Sequence, residues 1–395
     1  MAVTEVTRKN WFQRILESIK GILFGGVLVL LAFPVLFWNE GRAVQTARSL
    51  SEGAAAVVSV DPDQVSGAHE GALVHLSGEA TAHETLSDPT FGISERAIKL
   101  RREVEMYQWE ERRRTETRRT AGGAEEQVTT YTYDRVWSGR PISSRDFREP
   151  GHDNPPSMPY EGRTETAQSV TVGAFTLSPG LVGKIDAWER LPVTGETLGQ
   201  AAPDLQGRLK PVDSTYYLGD KPSDPQIGDL RVSFSVVRPT VVTAVAQQEG
   251  GRLQPYPTLQ RGQTIELLEV GRHSADEVFA AAEARNTSLT WILRGVGFGM
   301  MLFGLALVGR PISIVADFIP FIGAFFRVGV LFFAGLFASG ASLVTIAVAW
   351  IVYRPLLGIL LLSAGLLAFG ALIAGAVTLG RKRKAPAEAE PDPWS

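Results

Sequence analysis

The sequence predicts a membrane protein of four transmembrane α-helices, with a large β-rich extracytoplasmic domain inserted between helices 1 and 2. Three observations carry this reading. Apolar residues collect into four runs of 18 to 26 residues, long enough for the hydrocarbon core of a bilayer. Cations gather before the first run and after the last. Between the first two runs, apolar and polar residues alternate at the period of a strand.

Residues 1–20 carry Arg8, Lys9, Arg14 and Lys20 and are predicted to be a cytoplasmic N-terminus. Helix 1 follows at 21–38, with 18 residues and no charge. A core helix of a soluble protein would carry a polar stripe, and none is present. A cleaved signal peptide would need small residues at a cleavage site directly after the run. Asn39-Glu40-Gly41-Arg42 stands there instead. The segment reads as an uncleaved signal anchor.

Residues 39–286 read as the extracytoplasmic β-rich domain. "GALVHLSGEA" alternates, and "AIKLRREVEMYQW" places Ile98, Leu100, Val104 and Met106 on one face, with Arg102 as the exception on that side. "QVTTYTYDRVW" sets Tyr131, Tyr133 and Trp137 on one face, and a long hairpin turning at Gly122-Gly123 is expected between these runs. "LRVSFSVV" and "TVVTAVAQQ" flank Arg238-Pro239, with a further turn at Gly250-Gly251. Stretches near 140–165 and 195–230, rich in Pro, Gly and Asp, are expected to be long loops. "HSADEVFAAAEARN" switches to helical spacing, with Ser274 and Glu277 forming a capping box. That helix should run directly into the second span.

Helix 2 covers 289–308 and contains Arg294, the only charge inside a span. Three residues past Trp291, Arg294 is expected to snorkel to the outer headgroups. Were it buried, its partner would have to come from the outer domain or a backbone carbonyl, because the other spans offer no acid. Residues 309–327 read as an amphipathic interfacial segment. There Arg310, Ser313 and Asp317 form a narrow polar stripe expected to face water, amid Ile312, Ile314, Val315 and Phe318. The rival reading is a re-entrant segment with Asp317 facing a protein partner. Helices 3 and 4 are predicted at 328–353 and 355–380, and 381–395 as a disordered cytoplasmic tail. Gly21/Gly25, Gly295/Gly299, Gly335/Ser339 and Gly370/Ala374 are spaced to let helix backbones approach, with packing inside one chain favoured over self-association.

Composition narrows the chemistry. A net charge of −3 supplies no basic field for nucleic acid, and without Cys the chain has neither a disulfide framework nor a thiol nucleophile. The five His residues form no HExxH pair, and GxSxG, Walker and Rossmann motifs are missing. The pair His152-Asp153 is the best acid/base candidate, but it lacks a nucleophile partner and reads as a turn whose His caps backbone groups. The stretch "EERRRTETRRT" could meet anionic lipid or an acidic partner. Its interspersed Glu110, Glu111 and Glu116 favour a solvated hairpin of Arg–Glu pairs.

In order along the chain, "NEGRAVQTARSLSEGAAAVVSV", "LSDPTFGI", "KLRREVEMYQW", "GHDNPPSM", "GDLRVSFS", "SADEVF" and "YRPL" resemble the LUMA family (transmembrane protein 43). The resemblance covers most of the chain. It implies the four-span plan, homo-oligomerisation and a membrane scaffolding role, and it brings no enzymatic activity or cofactor. In animals the family is associated with the endoplasmic reticulum and inner nuclear membrane, with lamins and with emerin. The high Ala, Gly and Arg content suits a bacterial member, for which the inner membrane is the expected site. The expected function is a non-enzymatic scaffold that oligomerises and organises membrane lipids or partner proteins. A channel or transporter is the alternative, disfavoured because spans 1, 3 and 4 hold no ionisable side chain. A hydrolase in the outer domain is the second, disfavoured by the missing constellation.

Overall fold

A computed structural model describes residues 2–119, 124–260, 262–317, 320–356, 359–360 and 363. In chain order, β1 (Ala2–Lys9) leads into α1 (Trp11–Ala56). Then come β2 (Val58–Ser59), β3 (Leu73–Ala82), β4 (Thr85–Asp88) and β5 (Ile93–Arg96). The two longest strands follow, β6 (Lys99–Arg119) and β7 (Glu125–Ser138). After them lie β8 (Arg163–Thr166), β9 (Val170–Val172), β10 (Phe175–Leu177), α2 (Pro179–Lys184) and β11 (Glu189–Leu191). Short helices α3 (Gly195–Gly199) and α4 (Pro203–Gln206) precede the hairpin β12 (Leu209–Val212) and β13 (Thr215–Leu218). Next are β14 (Leu230–Val237), β15 (Thr240–Glu249), β16 (Arg252–Gln254), β17 (Tyr256–Pro257), β18 (Thr264–Ile265) and β19 (Leu267–Val270). Two long helices close the described chain, α5 (Ala275–Ala316) and α6 (Pro320–Tyr353).

The chain divides into two compact units. The first takes residues up to Leu16, Gln45–Thr287 and Ile314–Ala324; the second takes Glu17–Val44, Ser288–Ser313 and the chain from Phe325 onward.

In the first unit an eight-stranded sheet runs β1-β7-β6-β14-β13-β12, with β8 added on β6 and β11 on β14. A seven-stranded sheet runs β19-β15-β16-β10-β9-β3-β2, and a further pairing of β15 with β3 closes part of it into a ring. Alternation explains the layering, since side chains of period 2 deliver one face of each strand to a common interior. Ile98, Leu100, Val104 and Met106 enter that core with Val74 and Leu76 of β3 and Val232, Phe234 and Val236 of β14. Arg102, out of place in the pattern, is neutralised by Asp88 at 2.6 Å, donates to the carbonyl of Glu161 and covers the Phe91 ring. Asp88, Phe91 and Gly92 all belong to "LSDPTFGI". Gly92 sits at φ +68, and a Cβ there would lie 2.4 Å from the backbone of Thr197 and Ala201. Only glycine suits both the angle and the approach.

The stretch 195–230, expected as loop, holds α3, α4 and the β12–β13 hairpin. These elements are five residues or shorter, too brief for a periodic pattern to register. The turn expected at Gly122-Gly123 lies outside the described residues, though β6 and β7 pair on both sides of it, down to Arg119 opposite Glu125. The capping box forms: Ser274 N–H donates to Glu277, and Glu277 N–H to the Ser274 hydroxyl. From there α5 leads directly into the second apolar run, as the sequence predicts, and continues for 42 residues in all. Its first turns join the last turns of α1 on the domain, where Val278, Phe279 and Leu50 pack with Leu73, Val245 and Ile265.

In the second unit α1, α5 and α6 pack through Ala32, Leu36, Met301 and Ala338. Among the described residues three helices, α1, α5 and α6, are long and apolar enough to cross a membrane. The predicted fourth helix at 355–380 and the tail at 381–395 lie almost wholly outside the described residues. Among the described glycines of these pairs, Gly25 is the one in tight contact, its added Cβ falling 2.5 Å from the Gly304 carbonyl oxygen. Gly295 and Gly299 have open space around them, and Gly370 is outside the described residues.

Two expectations need correction. The segment 309–327 is not a separate helix, because α5 continues through Ala316 and α6 begins at Pro320. Part of its polar stripe also turns inward: Ser313 and Asp317 are buried, whereas Arg310, Ile312 and Val315 are exposed. The burial of Asp317 is tolerated because it has an ionic partner within the fold. Secondly, residues 2–9, placed by charge on the opposite side from the domain, form a strand of the domain's own sheet.

Candidate functional site

The second unit builds a polar cluster from "NEGR", the four residues directly after the first apolar run. Asn39 donates its amide to the Thr290 carbonyl at 3.1 Å. Glu40 receives both arms of the Arg294 guanidinium, Nε at 2.6 Å and Nη2 at 2.8 Å. A third donor, Trp350 Nε1, reaches Glu40 at 2.7 Å. Gly41 leaves room for the Tyr353 ring, which would lie 2.6 Å from an added Cβ. Arg42 donates to the Thr290 hydroxyl at 2.9 Å and to Asn39 at 3.3 Å. Each of the four residues has its own task.

Arg294 does not snorkel. Its side chain is 18% exposed and that of Glu40 only 2%. Trp291 and Trp350 stack over the guanidinium at 4.7 and 5.8 Å, so the cation meets aromatic faces where its fork leaves it uncovered. A buried carboxylate is tolerable only when paired and hydrogen-bonded, and three donors on two oxygens meet that condition. The partner comes from the segment first assigned to the outer domain, because α1 continues well past its apolar run and carries Glu40 on the same helix. Sequence inspection bounded the partner correctly and missed its identity. The signal was an acid two residues beyond the run.

A second buried cluster belongs to the first unit. Arg14 lies 2.6 Å from Asp317 and 3.1 Å from Glu125, and all three side chains are at most 7% exposed. Of the remaining singled-out positions, Arg310 is exposed and Ser313 buried. Arg14 and Glu125 gave no signal in the sequence, since only the tertiary fold brings them to Asp317.

The acid/base candidate is placed differently. His152 stacks on Tyr133 at 4.0 Å and meets the edge of Trp109 at 4.7 Å, with Nδ1 3.4 Å from the Glu149 carbonyl oxygen. Burial and a hydrogen bond to Glu111 push the Tyr133 phenol above its ordinary range, so it remains protonated as a donor. Asn154 clamps the loop to β6 by bonding both Trp109 N–H and Trp109 C=O. This is loop anchoring, not acid/base machinery. Ser59 and His75 form the nearest thing to a nucleophile–base pair, at 3.1 Å, with the other ring nitrogen 2.9 Å from the His273 carbonyl. Both nitrogens are thus engaged in tying β2 and the α5 approach to β3. Among the described residues no group of three His, Asp or Glu could hold a metal ion.

On the Arg-rich ribbon several charges are paired with neighbouring carboxylates or cations. Arg112 pairs with Glu110 and, across the strands, Asp134; Arg114 pairs with Glu116; and Arg8 of β1 pairs with Glu126.

Three long apolar helices with a deep bidentate ion pair, joined to a β-rich domain, define an integral membrane protein of the α-helical class. The family model of transmembrane protein 43 matches residues 106–355. Transmembrane protein 43 of Mus musculus is 38% identical over 366 residues, covering 90% of each chain. That of Homo sapiens is 37% identical over 374 residues, 91% of each. The homolog from Drosophila melanogaster is 32% identical over 359 residues, 87% of this chain and 91% of its own. The chain belongs to the transmembrane protein 43 family. No solved structure matches it.

Proposed function

We propose that the protein is a non-enzymatic integral membrane scaffold, which oligomerises and organises membrane lipids or partner proteins. The observation that carries the reading is how the enclosed charges of the apolar helices are used. Arg294 and Glu40 satisfy each other, and Trp350 closes the pair, so these groups tie helices together instead of lining a polar path. A conducting or transporting protein needs such groups open to water. A scaffold needs them closed and rigid.

Lipid organisation is supported by the outer faces of the helices. Phe325, Phe332, Phe333, Leu336 and Phe337 are exposed, and an apolar groove of about 500 Å³ runs between α5 and α6 beside Gly309 and Gly329. In a bilayer such surface meets acyl chains or other helices. The test uses the absence of native Cys. Phe332→Cys in native membranes should give disulfide-linked dimers on oxidation, and the detergent-extracted protein should run above monomer mass with lipid bound. A lipid-free monomer that conducts ions in planar bilayers would replace the scaffold with a channel.

A further inference from the structure

The N-terminal residues are fastened to the domain at several independent points. β1 pairs antiparallel with β7 over eight residues, from Ala2 opposite Thr132 to Lys9 opposite Glu125. Asn10 then caps α1 in a reciprocal box with Gln13. Trp11 donates its indole N–H to the Ile314 carbonyl at 2.9 Å, and Arg14 bridges Asp317 and Glu125. Gln127 donates to the other oxygen of Glu125 at 2.7 Å. Three stretches of sequence more than a hundred residues apart thus meet around one buried guanidinium.

These contacts disagree with the charge-based orientation, which sets residues 1–20 and 39–286 on opposite sides of a bilayer. A hydrogen-bonded ladder cannot have its two strands in different aqueous compartments, because the backbone groups pair directly. Chain lengths permit the meeting. From Ser138 back to Glu125, β7 extends about 43 Å at 3.3 Å per residue. From Arg14 to Gln45, α1 rises about 46 Å. The ribbon therefore has the reach to return to the start of α1.

We infer that residues 2–16 are a strap fastening the far end of the β6–β7 ribbon to the end of α5, with Arg14 as its positioning residue. Residues 2–9, 124–132 and 314–317 then share one compartment. The inference does not depend on the scaffold reading. Arg14 suits the task because Nε and Nη2 reach different carboxylates, which a single ammonium cannot do in the same geometry.

Thr4 and Thr130 are direct register partners, so the full-length Thr4→Cys/Thr130→Cys chain tests the strap in native membranes. Oxidation should give an intrachain disulfide, seen as a faster monomer band restored by reductant. Arg14→Gln should lower the yield several-fold and Arg14→Lys less. An impermeant maleimide should label the two single-Cys chains from the same side. Labelling from opposite sides overturns the inference, as does a disulfide found only between chains, or none at all. If the Arg14 variants fail to fold, the Cys pair with Arg14 intact decides the matter alone.

Discussion

The β6–β7 ribbon and the helix cluster around Arg294 both use arginine–carboxylate pairs, but in opposite surroundings. On the ribbon Arg112 is 62% exposed and faces Glu110 and Asp134 in water. In the helices Glu40 is almost fully enclosed and takes a bidentate fork plus an indole. The ribbon pair gains little, because water screens it and ordering two long side chains costs entropy. The enclosed pair cannot lose one member without stranding the other in a medium that solvates charge poorly. The same residue types therefore keep one surface soluble and lock another together.

Breaking the enclosed pair should have the largest effect. Glu40→Gln should destabilise by about 3–5 kcal/mol, the usual result of removing one partner of a buried pair. Arg294→Lys keeps the charge, loses the fork and should still lower the thermal midpoint; scanning calorimetry or a fluorescence melt in nanodiscs checks both. An unchanged midpoint in Arg294→Lys would sink the buried-pair description.

Arg102 and Asp88 sharpen the comparison, being a pair enclosed in the β-rich domain, with side chains 13% and 10% exposed. Arg102→Met should cost about 3 kcal/mol, since Asp88 would keep its link to Phe91 N–H and lose its cation. Hydrogen exchange at 88–93 should rise in step. A smaller loss than in Glu40→Gln is expected, because relaxation can let water reach Asp88.

For the ribbon, Arg112→Gln should leave the thermal midpoint within experimental scatter, since its side chain is 62% exposed and its pairs are screened by water. A clear drop would mean that the ribbon pairs resemble the enclosed ones after all.

The smallest effect concerns Glu277, whose hydrogen bonds with Ser274 hold its carboxyl below the ordinary value of 4.5. A depressed carboxyl stabilises the fold above its unfolded pKa, and that contribution fades as pH falls through the lower folded value. The midpoint difference between the parent chain and Glu277→Gln should therefore be present at pH 7 and shrink in that acid window.

Much of this was legible in the sequence because it rests on local periodicity. Alternation in "AIKLRREVEMYQW" located a core-facing strand, and Ser274 with Glu277 marked the helix that carries the chain into its second apolar run. Arg102 was legible as an anomaly, not as half of a pair, because Asp88 is its neighbour through strand pairing and the β4–β5 turn. Of the predicted stripe, Ser313 and Asp317 are buried and Arg310 is exposed, because periodicity states which residues are near one another on a helix and not what each meets.

By itself the sequence determined the apolar runs, the inserted β-rich domain and the family, since length, hydropathy and strand period are properties of contiguous residues. Only the tertiary structure decided that Arg294 finds Glu40, that Arg14 finds Glu125 and Asp317, and that the first residues join the domain's sheet. A charge can be counted from the chain alone, but its partner and its solvent are set by elements that meet across more than a hundred residues.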